Sequence, residues 1–328
     1  MIIDNKITEW LEAPATDPTY DDCRNIKHPT TCSWLFRHSI YLDWEQAKVD
    51  RNKMILWICG APGIGKTFLA TSVIEKLKAT NDWDVIYYYL RDEACEELRF
   101  HKGKALTMLR NLIRQLVDVF YKHNYRLPDS FWDVHRESGT KFLSDIRFAI
   151  RAVQHLLAQI PRIHIVIDGL DECIDRHTTD NLKPHEQLPE VLKRLVSTSC
   201  LGIVKWCFTG CPERDLSSFF QNTGALTLEV TGDHVRGDIL NYMAECASDL
   251  EFDVNEVSFR ERSDHLGITT NFLDANLTMN LIKSSSGITS YQDILDSVLG
   301  NKKGFNSRYL RGISALASKE DTVRDLAR

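Results

Sequence analysis

An α/β fold is what this 328-residue sequence predicts: a five-stranded, mostly parallel sheet covered by helices, with a small helical domain behind it. Three observations carry that expectation. Short apolar runs of strand length recur at 54–59, 84–91, 163–168, 203–209 and 225–230. Stretches with apolar residues three and four apart separate them, the pattern of crossover helices that bury both faces of a parallel sheet. Beyond 231 the strand-like runs stop and only helical periodicity remains. The expected organisation is therefore a helical flank over 1–50, an α/β domain over 51–231 and a helical domain over 232–328.

Taken in order, the chain opens with a short helical stretch at Ile7–Ala13, ended by Pro14 and Pro18. A polar loop is expected from there to Ser33. Trp34, Leu35, Ile40, Tyr41 and Trp44 then recur at spacings that share one helix face, which reads as packing. Whether the loop from Arg24 to Thr31 lies over a bound base is left open by the sequence. After the first strand, Thr67 to Leu77 is amphipathic and helical. Residues 92–124 and 141–159 are expected to be helical, with Arg126–Ser130 breaking between them. Further helices are expected over 186–199, 235–247, 277–299 and 309–326, with 250–275 partly irregular. His164 sits inside an apolar run and reads as a strand side chain rather than a ligand.

Composition narrows the classes. At 43% hydrophobic and 26% charged the chain is ordinary globular material. A formal net charge of −6 gives no electrostatic reason to bind nucleic acid or an anionic membrane. No apolar run reaches the roughly 18–20 residues of a membrane span, and the start lacks a basic segment followed by a long apolar one. The nine cysteines contain no C-x-x-C pair and several lie in apolar runs, so reduced thiols and a cytoplasmic location are expected. Cys207 and Cys211 lack the second pair that a zinc site would need.

The chemistry is concentrated at Gly60-Ala-Pro-Gly-Ile-Gly-Lys-Thr67. This fits G-x-x-x-x-G-K-[ST], and it lies between an apolar strand and an amphipathic helix, the context that the pattern requires. Glycines let the backbone close around a phosphate, and the helix that follows aims free N–H groups and a positive dipole end at the anion. Nucleotide contacts are therefore expected from Gly60, Ala61, Pro62, Gly63, Ile64, Gly65, Lys66, Thr67 and Phe68. Lys66 is the cation for the β- and γ-phosphates and Thr67 a hydroxyl ligand for Mg²⁺.

A second acidic motif follows the third strand, Ile165-Val-Ile-Asp-Gly-Leu-Asp-Glu-Cys173. Asp168 at the strand end is placed to join Thr67 on Mg²⁺. Gly169 is read as keeping space for the phosphate. Glu172 is the candidate base for water, with Asp171 beside it; the competing reading of this pair is a solvated turn that starts the next helix. A Ras-type GTPase is disfavoured because Asn301-Lys-Lys-Gly304 lacks the acid of N-K-x-D, and no L-S-G-G-Q-like signature points to a transporter ATPase.

These motifs resemble a family. GAPGIGKT at 60–67, IVIDGLDEC at 165–173 and FTGCPERDL at 208–216 look like the NACHT-type nucleotide-binding domain of the STAND class. Within it they are similar to the group with a nephrocystin-three-like N-terminal module, abundant in fungal NOD-like receptor proteins. Trp10-Leu-Glu-Ala-Pro14, Thr31-Cys-Ser-Trp34 with Trp44, and Asp238-Ile-Leu-Asn-Tyr242 agree with that group's flanks, and Ile282–Ile288 does so more weakly.

The resemblance implies a signal-transducing NTPase that holds ADP at rest, exchanges it for ATP or GTP, uses Mg²⁺ and oligomerises with protein partners when triggered. It adds Thr209 to the nucleotide contacts. It also implies that longer members continue into a winged-helix domain and sensor repeats, so a truncated or minimal member is expected. One position departs: Cys211 stands where the family usually has an Arg near the γ-phosphate, and a thiol supplies no fixed positive charge. Arg214 is the nearby candidate substitute. Binding without hydrolysis, as an inert scaffold module, is therefore the competing functional expectation.

Overall fold

The computed structural model describes residues 5–13, 18–47, 54–80, 82–90, 103–139, 141–173, 188–197, 202–248 and 271–284. They fall into two compact units: residues 1–26, 37–59 and 66–228 in one, and 27–36, 60–65 and 229–328 in the other.

The sheet has five parallel strands: β1 (Ile55–Gly60), β2 (Asp84–Tyr89), β3 (Arg162–Asp168), β4 (Ile203–Gly210) and β5 (Leu226–Val230), in the spatial order β2-β3-β4-β1-β5. β5 is thus an edge strand, as its short run predicts. All six residues of β1 are buried, as are six of the seven in β3, so both faces of the sheet are covered. The order explains where a ligand goes. From β1 the chain leaves for the far edge at β2, while from β4 it passes β1 to reach β5. Connections diverging on either side of a strand leave a crevice at its carboxyl end. The register brings the ends into line: Tyr89 pairs with Asp168, Ile167 with Phe208, and Cys59 with Gly210.

The helices of this unit are α1 (Asn5–Leu11), α2 (Thr19–Ile26), α3 (Ser39–Gln46), α4 (Lys66–Thr80), α5 (Gly103–Lys122), α6 (Asp129–Ser138), α7 (Ile146–Leu157), α8 (Leu188–Val196) and α9 (Arg214–Thr223). α1 belongs to the core. Ile7, Trp10 and Leu11 are essentially inaccessible, the Trp10 indole donates to Ser138 Oγ, and its ring meets Phe131 edge-on.

Two helices run where loops were expected. α2 occupies part of the polar stretch after Pro18, with Asp21 and Asp22 in its first turn and Arg24 in its last, charges that suit the helix dipole. α6 follows directly on Pro128, which acts as its N-cap, so the expected break is also a helix start. The aromatic stripe is divided between a 3-10 turn at Ser33–Arg37 and α3; Leu35, Tyr41 and Trp44 are buried. Of the helix expected over 92–124, residues 92–102 lie outside the described residues and α5 is described from Gly103; the helix expected from 141 begins later, at Ile146, where Asp145 caps the Arg147 amide.

At the amino ends of the strands, His164 and Lys205 are both buried among Trp44 and Trp83. The imidazole stacks on Trp83 with ring centroids 4.5 Å apart, and Lys205 Nζ donates to the Glu45 carbonyl at 2.6 Å. His164 Nδ1 has no hydrogen-bond partner among the described residues. The site is a packed aromatic cage rather than a ligand set.

In the second unit, α10 (Gly232–Ser248) packs on α11 (Phe272–Ser284), with Tyr242 donating to Asn276 Oδ1 at 3.0 Å. α11 starts at Phe272, inside the tract expected to be irregular. Residues 27–36 are held to α10 as well. Asp238 Oδ2 accepts the Cys32 amide at 2.6 Å, His28 meets Glu245, and Trp34 stacks on His234. Those anchors give the strap a packing role. The rest of the helices expected over 277–299, and that over 309–326, lie outside the described residues.

Burial, helped by the neighbouring Lys205 charge, pushes the His164 imidazole down to about 3. The folded state therefore holds it neutral while the unfolded chain protonates it near 6.5, and stability is lost as the pH falls from about 6.5 toward 3. His164→Phe should flatten this limb of the stability–pH curve by on the order of a few kcal/mol, read from urea denaturation at pH 7.5 and pH 5.

Candidate phosphate and metal site

β1 ends at Gly60 and α4 begins at Lys66, and the turn between them carries Gly63 at φ +77° and Gly65 at φ +99°. L-residues with a Cβ rarely adopt such angles, so glycine at these two places lets the chain coil tightly into the helix. Ala61, Pro62 and Gly63 are exposed and Ile64 is buried beneath them. Lys66, Thr67 and Phe68 form the half-exposed first turn of α4, where N–H groups lack intrahelical acceptors.

Within the first unit, the expected metal and acid residues converge on the carboxyl end of β3. Asp168 is buried; its Oδ1 accepts from the Thr209 hydroxyl, and the Thr67 hydroxyl bonds to it as well. Thr209 Oγ1 in turn accepts the Gly169 amide at 3.3 Å. Burial pushes the Asp168 carboxyl above its ordinary range and nearby Asp171 adds to this, while Thr209, Thr67 and the Lys66 charge oppose it. A hydroxyl and a carboxylate side by side form a hard oxygen donor pair, which suits Mg²⁺ completed by phosphate and water. Among the described residues no group of three or more His, Cys, Asp or Glu gathers around a metal position.

The remaining candidates take distinct places. Asp171 Oδ1 accepts the Cys211 amide at 2.9 Å and is half-exposed. Glu172 is exposed, and its carbonyl accepts from Lys104 Nζ at 2.6 Å. Cys211 Sγ lies 3.4 Å from Lys66 Nζ. Burial and the Asp171 hydrogen bond push the Cys211 thiol up to about 11, with Lys66 opposing, so at neutral pH it is an uncharged thiol beside the lysine. Arg214, the possible substitute, is exposed at the first position of α9.

Gly169 has a different role from the one read in the sequence. It sits at φ +78°, and a Cβ there would lie 2.5 Å from the Leu90 carbonyl oxygen. The space it spares belongs to the backbone leaving β2, not to a phosphate.

The profile of the family described as nephrocystin 3, N-terminal, matches residues 30–210, more than half of the chain. The chain belongs to this family. The nephrocystin 3 N-terminal match takes in the phosphate loop, Asp168 to Glu172 and Thr209, and ends just before Cys211. The chain is also similar to the vegetative incompatibility protein HET-E-1 of Podospora anserina, 23% identical over 333 aligned positions that cover 93% of this chain. Those positions are 22% of that protein, so the chain spans about a fifth of its relative's length. No described helix is long and apolar enough to cross a membrane.

Two residues of this region escape the motif reading. Thr71 donates to the Thr67 carbonyl and bonds the Tyr89 hydroxyl, each at 2.9 Å, so the helix turn that carries Thr67 is tied to the end of β2. The position of Thr71, one turn after Thr67, is the only sign of this in the sequence.

Gly169→Ala should destabilise the fold by about 2 kcal/mol or more, because a strained φ is combined with a backbone clash. A urea midpoint unchanged from wild type would show that the turn relaxes freely.

Proposed function

We propose that this chain is the nucleotide-binding module of a NACHT-type signalling switch, acting in the cytoplasm and assembling with protein partners when its nucleotide is exchanged. The observation that carries the reading is the convergence of Lys66, Thr67, Asp168 and Thr209 at the end of a turn with two left-handed glycines. The family match and the similarity to HET-E-1 support it.

In this reading the amides of 60–67, with Phe68 beside them, take the polyphosphate of ATP or GTP, with ADP held at rest, and the Lys66 ammonium adds its charge. Thr67 and Asp168 would hold Mg²⁺, which when bound neutralises phosphate charge. Thr209 contributes by fixing Asp168, and the Asp168 carboxylate regains the charged form that burial disfavours when a cation is beside it. Asp171, tied to the Cys211 amide, sets the turn that presents Glu172. The exposed Glu172 carboxylate is the group that accepts a proton from water. In this reading an α/β domain over 51–231 carries these groups, and 232–328 is the second domain.

Hydrolysis is slow in this proposal, because the thiol of Cys211 gives no positive charge to a transferring phosphoryl group. A second reading, a scaffold that binds nucleotide without turnover, is favoured by the same residue.

Lys66→Ala should weaken Mg-nucleotide binding roughly 100-fold; titration with a fluorescent ATP or GTP analogue measures this, and unchanged affinity would end the phosphate-loop assignment. Under single-turnover conditions Glu172→Gln should slow hydrolysis about 100-fold with little change in affinity. Cys211→Arg should raise the rate at least about tenfold if the missing cation limits it; no turnover in either protein favours the scaffold reading.

A further inference from the structure

The loop carbonyls reveal a residue that no sequence motif marks. In the second unit, the start of α11 meets residues 60–65 directly. Asn271 Nδ2 donates to the Pro62 carbonyl at 2.9 Å, and the Leu273 amide donates to the Gly63 carbonyl at 3.2 Å. The same Asn271 caps its own helix: Oδ1 accepts the Leu273 amide at 2.8 Å, and its carbonyl accepts the Ala275 amide. The approach is close. A Cβ on Gly63 would lie 2.6 Å from Leu273 Cβ and 2.8 Å from Asn271 Oδ1, and one on Gly65 would lie 3.2 Å from the Phe272 ring.

Peptide geometry turns these contacts into a statement about the amides. In a trans peptide the C=O and the following N–H point in opposite directions, and the described residues contain no cis bond. A Pro62 carbonyl held by α11 therefore turns the Gly63 N–H away from α11. A Gly63 carbonyl held by Leu273 does the same for the Ile64 N–H, which donates to the Ala61 carbonyl at 3.4 Å across the turn and so closes the loop. An anion cradle needs this polarity, with carbonyls outward and amides inward.

We propose that Asn271 is a positioning residue for phosphate binding: with Leu273 it fixes the Pro62 and Gly63 carbonyls on the outer side of the loop and so aims the Gly63 amide at the anion. The inference rests on reading 60–67 as a phosphate loop. Phosphate binding and the seating of α11 then favour one loop conformation, and each strengthens the other by the same factor.

Two variants of the full chain separate loop positioning from helix capping. Asn271→Asp keeps the cap acceptor and loses the Nδ2 donor; Asn271→Ser does the same without adding charge. Affinity for MgATP and MgGTP should fall roughly fivefold to tenfold in both, the loss of about one hydrogen bond. Amide exchange of residues 60–66 in the nucleotide-free protein should quicken at least about threefold, with helix content by circular dichroism unchanged. Unchanged affinity overturns the proposal. So does weaker affinity with unchanged loop exchange, or a loss of helix content in both variants, since either assigns the effect to something other than the loop. Wild type that binds no better than Lys66→Ala refutes the phosphate reading instead, and exchange in the free protein still decides whether Asn271 holds the loop.

Discussion

Asp168 is a carboxylate with almost no access to water at the end of a fully covered strand, and the arrangement around it follows from that. A desolvated carboxylate is costly unless donors and cations surround it. Its neighbours supply them from two elements: Thr209 from the end of β4, and Thr67 and the Lys66 charge from the start of α4. The parallel register delivers them, because Ile167 opposite Phe208 sets Asp168 beside Thr209. Tyr89, paired with Asp168 from the other side, reaches the same helix turn through Thr71. Each element that touches Asp168 is thus held in place by a contact that also serves burial.

The two ends of the sheet treat ionisable groups in opposite ways. At the amino ends, His164 and Lys205 lie among Trp44 and Trp83, and burial drives both toward their neutral forms. Stacking and one backbone carbonyl are the compensation there. At the carboxyl ends, half-exposed Lys66, Thr67 and Asp171 stand beside the buried Asp168 and Thr209. The first arrangement stabilises a rigid base at the expense of acid tolerance, and the second leaves ionisable groups such as Lys66 and Asp171 within reach of solvent. A parallel sheet favours this division, since the crevice opens only where the connections diverge.

How much of this could be read in the sequence depended on how local each cause is. Gly60 to Thr67 is legible because spacing along one chain fixes which amide, ammonium and hydroxyl meet the same point. The five strands are legible because burial on both faces leaves continuous apolar runs such as Leu56 to Cys59. α2 and α6 were hidden because Pro18 and Pro128 read as breaks while each precedes a helix start, and because few apolar residues mark their buried sides. Gly169 was visible as a glycine, but its cause, the Leu90 carbonyl, comes from another strand. Thr209 was legible only through resemblance, and Asn271 not at all: it meets Pro62 across 209 positions of sequence, and an asparagine before an apolar stretch carries no sign of what its amide will touch.

In the proposed function, binding and hydrolysis draw on different parts of this structure, so Cys211 would weigh on one and not the other. The cradle proposed for the anion consists of backbone amides in a loop with two left-handed glycines and carbonyls bonded from outside, and none of these depends on the side chain at 211. What 211 supplies through its backbone is kept: its amide still binds Asp171 and sets the turn before Glu172. Only the side-chain charge is gone, and the thiol in its place sits neutral beside Lys66. Charge at that point acts on a transferring group far more than on a resident one. In the proposed reading, a chain that keeps the backbone of the cradle and lacks that side-chain charge holds a nucleotide longer than a fast hydrolase would, the property that a switch needs and a metabolic phosphotransferase does not.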